Sequence, residues 1–522
     1  KNKSTTIYGN IVALDESPKK EGLLYVGTDD GLIQVSEDMG RNWTKVEKFK
    51  DVPEQTYVNM IVASQHDENV VYAVFNNHKN GDFKPYVLKS TNKGKNWTNI
   101  TGDLPERGSS YAIAEDHKDP NLLFVGTEFG VFFTNLGGSK WVQLKGGLPT
   151  IAVRDIAIQK REDDLVLGTF GRGFYVLDNY DPLRTITEEN MAKDFVIFPV
   201  KEALMYIESN DLGRGRKGFQ GDALYSADNP PVGAVITYYL KDDLITLKEE
   251  RKKAEKDSDD DIYPDYRALK AEDLEQEPFL IFTIADEKGN VIRKIKASGK
   301  KGLHRIVWDF KYDAMGAANL NNSESGRWAL PGTYSVSAVK FESGKQKSLR
   351  GNQTFNCKPI NENTLSATDK AAVKEFTDKV AKLRLAIDGS NKYMNDLDGK
   401  IKLMKQAVLT SQVDNEMYLR LVDLEERIAD IDYKLNGDKT LSSREFESLP
   451  SVSSRLMTVV WYLYNTTAAP TKTFEMNYEM AYTETKSIIK QLEQIAIQIE
   501  AAEKKLSDEN APWTPGRLPK LD

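Results

Sequence analysis

Short apolar runs, each closed by a glycine, recur along the first third of the chain. The clearest copies occupy residues 23–31, 122–130 and 165–171, with a looser copy at residues 70–75. Another apolar run precedes every copy, at residues 11–13, 61–63, 112–114 and 156–158. A short β-branched and aromatic run that ends at a glycine is typical of a strand followed by a turn. The pattern therefore predicts repeated strand–turn–strand units.

A turn motif follows the repeated strands. Ser36–Trp43 and Ser90–Trp97 fit the Asp-box pattern Ser-x-Asp-x-Gly-x-x-Trp, with asparagine replacing the aspartate in the second copy. Thr134–Trp141 is a degenerate third copy with one extra residue. In such a turn the Asp or Asn side chain accepts hydrogen bonds from backbone N–H groups, the glycine adopts a positive φ and the tryptophan packs into the sheet. We interpret the Asn-Trp-Thr sequons at Asn42 and Asn96 as parts of these turns and not as glycan sites.

Units of about 40–55 residues with four strands each are the blades of a β-propeller. The motifs resemble the BNR-repeat propellers of sialidases, and more closely the sortilin/Vps10-type propeller and the long bacterial proteins labelled as glycosyl hydrolases, especially those of Bacteroidetes. Residues 25–34 and 168–178 resemble the last blades of that family. The resemblance implies that residues 1–185 are the C-terminal blades of a larger propeller, and residues 178–184 are predicted to be an exit linker. Three and a half blades are also at the lower limit for closing a ring, so further blades are expected on another chain or another segment of the same precursor.

Residues 190–360 alternate again like β-strands, and we predict a β-sandwich for them. The strand-like stretches are residues 195–198, 232–240, 279–284, 304–310 and 332–339. The turn at residues 286–290 and the strand start at residues 331–334 resemble Ig-like domains of the FlgD or fibronectin III sort. A charged insert, residues 244–276, holds an acidic run that lacks the central Gly and distal Glu of an EF-hand, so a solvated loop is favoured over a Ca²⁺ site. The glycine- and arginine-rich residues 213–218 are predicted to be a flexible loop, with capture of an anionic group as the alternative.

Further along the chain the apolar positions step by three and four, which predicts helices. The stepped positions include Val380, Leu383, Ile387, Ile401, Met404, Leu424, Ile428, Ile488, Leu492 and Ile495. Ser366 with Asp369 is a candidate N-terminal cap. We predict a helical bundle over residues 365–508, either self-contained or with one face docked on another subunit. Residues 509–522 are predicted to be an extended tail, which Trp513 could anchor on a neighbouring protein.

The composition narrows the possible functions. With 522 residues the chain is long enough for about two to four domains. Its formal charge of −8 argues against a nucleic-acid binder, and its apolar runs are too short for a membrane helix. The single cysteine, Cys357, excludes an internal disulfide and is expected to be buried, and the four histidines lack metal-ligand spacing. We therefore predict no cofactor and no metal.

Glycoside hydrolysis is the strongest enzymatic alternative. It needs two carboxylates, or a tyrosine nucleophile with its base, and a sialidase also needs an arginine cluster for the sugar carboxylate. The arginines in the blades, Arg154, Arg161 and Arg172, form no recognisable triad. Acids near the blade turns are candidates for an axial site, namely Asp29, Asp30, Glu128, Asp155 and Asp178. Because acids are common at turns, no catalytic residue is assigned. The motifs of phosphate loops, nucleophile elbows and zinc proteases are absent from the sequence.

We expect a non-catalytic scaffold that binds peptide or protein as a subunit of an extracytoplasmic, outer-membrane-associated complex. Its expected partners are the N-terminal half of the propeller and protein subunits of that envelope complex, without nucleic acid and without a membrane-spanning segment of its own. The alternative is an exo-glycosidase of the sialidase type, with an active site at the propeller axis that upstream blades complete. Acids and arginines gathered at the axis would favour the hydrolase, whereas a large apolar or aromatic patch would favour the scaffold.

Overall fold

The computed structural model describes residues 9–206, 208, 229–257, 264–318, 320, 325–342, 344–360, 369–466, 468–516 and 518. The chain divides into two compact units. The first contains the chain up to Pro199 together with Thr237–Asp243 and Lys300–His304, and the second contains Val200–Ile236, Leu244–Gly299 and Arg305–Asp522. The repeated sheets lie in the first unit and the long helices in the second.

Four antiparallel sheets follow one another in the first unit, and each is a meander of neighbouring strands. The first three have four strands, as predicted for propeller blades, and the fourth has three in the described part of the chain. The strands are, for blade 1, β1 (Ile11–Glu16), β2 (Leu24–Thr28), β3 (Ile33–Ser36) and β4 (Thr44–Val46); for blade 2, β5 (Tyr57–Ala63), β6 (Val71–Asn76), β7 (Tyr86–Ser90) and β8 (Thr98–Asn99); for blade 3, β9 (Ser110–Glu115), β10 (Leu123–Thr127), β11 (Gly130–Thr134) and β12 (Val142–Leu144); and for blade 4, β13 (Val153–Gln159), β14 (Asp164–Thr169) and β15 (Phe174–Leu177). The predicted propeller blades are therefore confirmed.

Antiparallel strands place successive turns at opposite ends of a blade. We call the end with the turn between the second and third strands the upper end, and the opposite end the lower end. The connections to the next blade also lie at the upper end. The turns between the first and second strands, and between the third and fourth, lie at the lower end, so Ser36–Trp43 and Ser90–Trp97 are lower-end turns.

Neighbouring blades pack face to face, with an apolar core at each of the three junctions. Strands β6 and β10 are buried along their whole length because each belongs to a blade with a neighbour on both sides. Strand β14 alternates between buried and half-buried residues, because among the described residues only blade 3 covers blade 4. The two faces of a blade are thus used for two different neighbours.

Two of the repeated glycines are required by this packing. A Cβ on Gly27 would lie 2.4 Å from Val58 Cγ1, and a Cβ on Gly126 would lie 2.6 Å from the carbonyl oxygen of Val153. The first strand of the next blade therefore approaches each glycine too closely for any side chain. The equivalent glycine of blade 4, Gly168, has room, since the nearest atom to its ideal Cβ is 3.4 Å away and belongs to the same blade.

The lower-end turns have the hydrogen bonds predicted for them. Asp38 accepts from the backbone N–H of Asn42 at 2.8 Å, and Gly40 has a φ of 82°. The indole N–H of Trp43 donates to the carbonyl oxygen of Gly40 at 2.9 Å, and the second turn repeats these contacts. Trp43 is nevertheless 41% exposed, so it packs less than predicted. Trp141 of the degenerate copy donates instead to a carbonyl oxygen of blade 2 at 3.0 Å.

After blade 4, strands again dominate up to Pro359, and all five predicted stretches contain one. The elements are a 3-10 helix (Asp181–Thr185), α1 (Glu188–Ala192), β16 (Phe195–Ile197), β17 (Ala203–Met205), β18 (Ala234–Leu240), α2 (Leu247–Lys256), α3 (Tyr266–Leu274), β19 (Phe279–Asp286), β20 (Val291–Ala297), β21 (Gly302–Trp308), β22 (Lys311–Asp313), β23 (Ser325–Trp328), β24 (Gly332–Glu342) and β25 (Lys345–Pro359). One sheet has the order β17-β25-β24-β19-β20, with β17 parallel to β25. Helices α2 and α3 lie in the charged insert, on either side of the acidic run for which the sequence favoured a loop. The Ig-like sandwich stays a prediction.

The C-terminal helices are confirmed, and their predicted apolar positions form one core. They are α4 (Lys370–Leu409), α5 (Asn415–Asn436), α6 (Lys439–Ser442), α7 (Val452–Asn465) and α8 (Lys472–Asp508). Asp369 caps α4 by accepting from the N–H groups of Ala371 and Ala372, each at 3.0 Å. Within the described ranges, no helix combines the length and the apolar character that crossing a membrane requires.

Three sequence-derived features fall outside the described residues: Ser366 of the proposed cap, the loop at residues 213–218, and residues 258–261 of the acidic run. Cys357, in contrast, is described and lies buried in β25 with 3% of its surface exposed. Burial raises the pKa of its thiol to about 12, so it is an inert apolar side chain, as expected.

Candidate functional site

One group of side chains at the upper end combines an arginine, a carboxylate and two aromatic rings. Tyr111 comes from the first strand of blade 3 and Glu128 from the turn after β10. Arg154 and Phe170 come from the first strand of blade 4 and the turn after β14. Packing of blade 4 on blade 3 brings these positions together, because first strands and upper turns meet at a blade junction. We call these four residues the upper-end cluster.

Arg154 lies close to two aromatic rings of this cluster. Its guanidinium carbon lies 3.7 Å from the centroid of the Tyr111 ring and 5.2 Å from that of the Phe170 ring. Such cation–π contacts use the faces of the guanidinium and leave its N–H groups at the edge. Nη2 lies 3.9 Å from Glu128 Oε2, which is an ion pair but too long for a hydrogen bond. Since 41% of the side chain is exposed, Arg154 presents N–H donors to an incoming ligand.

Tyr111 fixes the carboxylate of this cluster. Its ring is 4% exposed, and its hydroxyl donates a hydrogen bond to Glu128 Oε2. Burial, together with that hydrogen bond, raises the pKa of Tyr111 above its usual 10.0. The phenol therefore stays protonated at neutral pH. In this arrangement Tyr111 orients Glu128 and supports Arg154, whereas both charged groups remain partly open to solvent.

Exposed phenylalanines extend the surface across the upper ends of blades 2 and 3. Phe129 is 47% exposed, and Phe83, in the connection between β6 and β7, is 49% exposed. Gly108 joins them, because its N–H donates to the carbonyl oxygen of Phe83 at 2.9 Å and an ideal Cβ on it would lie 3.3 Å from the Phe129 ring. Phe129 follows Glu128 in the chain, so the phenylalanines are continuous with the upper-end cluster.

The other candidates from the sequence are dispersed. Asp29 accepts from the backbone N–H of Asn10 at 2.8 Å, and Asp30 accepts from the hydroxyl of Thr28 at 2.6 Å, so both shape the upper turn of blade 1. The remaining candidates lie at opposite ends of blade 4. Asp155 and Arg172 lie at its upper end, and Arg161 and Asp178 lie at its lower end. Glu128 and Arg154 are thus the two candidates that the structure brings together.

Sequence reasoning missed Tyr111 and Phe170. A usable signal exists for Phe170, which follows the Gly-Thr pair that ends the second strand of blades 1, 3 and 4. The same place holds Asp29 in blade 1 and Glu128 in blade 3. A position that varies within an otherwise repeated motif is free from the demands of the fold, and it is therefore where function can reside. Tyr111 has no comparable signal, since it is one aromatic residue in an apolar strand.

A second charged group joins blades 3 and 4 at the lower end, and it includes Arg184. We call Asp116, His117, Asp163 and Arg184 the lower-end cluster. The Arg184 guanidinium donates to both carboxylate oxygens of Asp116, at 2.6 and 2.8 Å, and to Asp163 at 2.7 Å. Lys118 lies 2.7 Å from the other oxygen of Asp163. The segment predicted as an exit linker is therefore packed, because Arg184 lies in the 3-10 helix and is 10% exposed.

The ligand atoms of Asp116, His117 and Asp163 lie within 4.8 Å of one another, which is close enough for a metal ion. The pairing of these carboxylates with Arg184 and Lys118 argues against one. Burial raises the pKa of Asp116, but hydrogen bonds from Arg184 and Tyr180 outweigh it and the net pKa is lowered. Burial lowers the pKa of His117, so the imidazole is neutral. Because a guanidinium already neutralises the carboxylates, we interpret this group as a structural clamp between blades.

Comparison with protein-family models and with curated proteins finds no match. The solved structures that resemble the chain include YCF48 from Cyanidioschyzon merolae, with 19% identity and a TM-score of 0.26 over 32% of this chain and 53% of that one. They also include YCF48 bound to D1 peptide, with 15% identity and a TM-score of 0.26 over 33% and 52%. The GH74 xyloglucanase from Xanthomonas campestris has 11% identity and a TM-score of 0.29 over 70% and 46%.

This chain thus spans about half the length of each of these propeller structures. Similarities at such TM-scores say nothing about a shared site or activity. The assignment of propeller blades rests on the four-stranded sheets of the chain itself.

Proposed function

We propose that this chain is a non-catalytic propeller scaffold of the sortilin-like Asp-box type, which binds a peptide or protein at the upper end of blades 2 to 4. We further propose that it works outside the cytoplasm, as a subunit of an outer-membrane-associated complex in a Bacteroidetes-like bacterium. The single observation that carries the binding proposal is Arg154, which lies within 3.7 Å of the Tyr111 ring centroid and 5.2 Å of the Phe170 ring centroid and is 41% exposed.

The chemistry of this surface suits protein recognition. Phe83, Phe129 and Phe170 are 49%, 47% and 69% exposed and lie at the upper ends of blades 2, 3 and 4. Aromatic residues and arginine are enriched at the centres of protein interfaces. A guanidinium that is already stacked loses little conformational freedom on binding, so its hydrogen bonds contribute more to affinity. A partner with an apolar side chain next to a carboxylate would satisfy both parts of the surface.

Glycoside hydrolysis is the second candidate, and one observation favours it. Tyr111 donates to Glu128 next to Arg154, which is the combination of tyrosine, base and arginine that a sialidase-type reaction employs. The pair is poorly placed for that chemistry, because the Tyr111 ring is 4% exposed and its pKa is raised. In the part of the chain that the structure describes, Arg154 is also the one arginine in contact with this pair, whereas a sugar carboxylate is usually gripped by several.

We also propose that further blades, from the N-terminal half of the propeller, complete the ring. The β-rich region after blade 4, which we propose to be an Ig-like sandwich, and the C-terminal helical bundle would then be docking modules for other subunits. The weak similarities to a peptide-bound YCF48 and to a xyloglucanase do not distinguish the scaffold from the hydrolase.

A photo-crosslinking amino acid at the upper end tests the scaffold. Phe129 is the position of choice, and Leu136 is its control, because it is 55% exposed in the same blade but lies in the lower-end turn. We expect a peptide or protein from the producing cells to crosslink at position 129, not at position 136, and R154Q to reduce the yield at least about fivefold for one lost charge-assisted contact. Equal crosslinking at both positions would contradict the proposal.

A substrate screen separates the two candidates. Sialosides and neutral exo-glycosides with a fluorescent leaving group are incubated with the purified chain and with the complex from cells. The scaffold predicts no turnover that depends on Tyr111, so Y111F should behave like the unchanged protein. Hydrolysis that disappears in Y111F while the melting temperature is kept would establish the hydrolase and overturn the scaffold.

A further inference from the structure

One face of blade 4 is left open among the described residues. In β14, Leu165 and Leu167 point toward blade 3 and belong to the core of that junction. The residues that alternate with them, Val166 and Gly168, lie on the opposite side, where they are half-buried. Because side chains alternate along a strand, this opposite side is one continuous face of the blade.

Strand register shows which residues share that face. In blade 3 the corresponding face is made of two rows across β9, β10 and β11, namely Ala112, Gly126 and Val131, and Ala114, Phe124 and Phe133. In blade 4 the same two rows across β13, β14 and β15 are Asp155, Gly168 and Phe174, and Ala157, Val166 and Val176. Five of the six positions are apolar or glycine in blade 4, as all six are in blade 3.

The two faces have similar residues but differ in how much of their surface is exposed to solvent. The side chains of the blade 3 face are at most 9% exposed, because blade 4 covers them. On blade 4, Phe174 is 81% exposed and Val176 is 55% exposed. Two large apolar side chains thus lie in solvent at positions where the preceding blade has buried valine and phenylalanine.

The glycines indicate what covers such a face. Gly27 faces Val58 and Gly126 faces Val153, and in each case the valine belongs to the first strand of the next blade. Blade 4 keeps glycine at this position, Gly168, although no other blade approaches it among the described residues. A glycine costs a strand roughly 0.5–1 kcal/mol relative to alanine. Two of the three covered faces have this glycine, whereas blade 2 has Val74 there. On blade 4 the glycine leaves room for a strand that arrives from outside the four blades.

We infer that this face of blade 4 receives the first strand of a further propeller blade, which carries a β-branched residue opposite Gly168. The inference rests on the proposed function, in which the N-terminal half of the propeller supplies additional blades, and it names the surface where one of them docks. One feature distinguishes this junction from that of blade 3. Asp155 stands where blade 3 has Ala112 and accepts a hydrogen bond from the backbone N–H of Ile156 at 2.9 Å. We expect the incoming strand to offer a basic side chain or a backbone N–H to the remaining carboxylate oxygen.

Thiol labelling measures whether the face is covered. The single natural cysteine is buried, so V176C and L136C each introduce one reactive thiol at positions where the natural side chains are equally exposed, at 55%. Each variant is labelled with a maleimide twice, as the purified 522-residue chain and in the assembly isolated from the producing cells. We expect V176C to react at least about tenfold more slowly in the assembly, and L136C to react equally in both, because reaction requires access to the thiol.

Two further measurements identify the occupant. G168W fills the space above the face and should restore fast labelling of V176C in the assembly, and its melting temperature as a purified chain checks that blade 4 still folds. A thiol-linked photo-crosslinker on V176C should yield a peptide with the strand pattern of a blade. Equal labelling of V176C in chain and assembly, or a crosslink to a second copy of this chain, would overturn the inference. A partner still captured at position 129 in that case would leave the proposed function intact.

Discussion

Replacing Arg184 by methionine tests whether the lower-end cluster joins blades 3 and 4. Methionine keeps an unbranched apolar side chain but removes the three hydrogen bonds of 2.6–2.8 Å to Asp116 and Asp163. The Asp116 carboxylate is fully buried and would lose its cation, which typically costs about 3–5 kcal/mol. Tyr180 and Lys118 continue to contact the two acids, so we expect the lower part of that range, about 3 kcal/mol.

Hydrogen exchange at the amides of β9 and β13 is the appropriate assay, because the chain has two compact units and need not unfold in one step. The melting temperature of the blade unit should fall by roughly 6–12 °C, at about 2–4 °C per kcal/mol for a unit of about 200 residues.

R161M is the matched control for this experiment. Arg161 lies in blade 4, as Asp163 does, and pairs with Glu162 at 3.0 Å. Because the Arg161 side chain is 81% exposed, R161M should lower the free energy of unfolding by less than about 1 kcal/mol. An R184M protein no less stable than R161M would refute the reasoning, since the buried ion pairs would then contribute no net stability.

Two further predictions concern the same blades. The pKa of Asp116 is lowered in the folded chain, so the stability that it contributes is present above its ordinary value of 3.8 and is lost as the pH falls below it; melting between pH 5 and pH 2.5 should show this loss, and D116N should flatten it. G126A should lower the free energy of unfolding by about 1–3 kcal/mol through overpacking, whereas G168A should raise it by about 0.5–1 kcal/mol, because Gly168 has room for a Cβ and alanine is the better strand residue. Chemical denaturation of both glycine variants measures these changes in the free energy of unfolding. Equal changes in G126A and G168A would contradict the packing argument.

The repeats determined the blades. The second strand of a blade ends at a glycine-containing turn, and the third ends at a serine- and glycine-containing turn. The hydrogen bonds of the latter turn lie within a few residues, as Asp38 and Asn42 show. The helices were equally predictable, because positions such as Ile401 and Leu492 repeat every three to four residues and are buried together. Strand and helix periodicity are local properties of a sequence, and they survive whatever the chain packs against.

The charged insert and the exit linker show where local patterns were insufficient. Helix α2 has no buried residue, so its sequence lacks the apolar stripe by which a helix is usually predicted. The capping box formed by Thr246 and Glu249 was the available signal. Arg184 appeared to belong to a polar linker, but its partners Asp116 and Asp163 lie 68 and 21 residues away in the chain. A buried ion pair carries no periodicity, so the sequence could not show that these charges meet.

The upper-end cluster depended on tertiary structure in the same way. Glu128 and Arg154 were candidates from the sequence, yet Tyr111 and Phe170 became relevant only when blade 4 packed on blade 3 and brought both rings close to the guanidinium. The sequence by itself determined which strands form, which face of each strand is apolar and which turns close them. The packing of consecutive blades decided which side chains meet and which face stays open, because contacts between blades join residues that no local pattern relates.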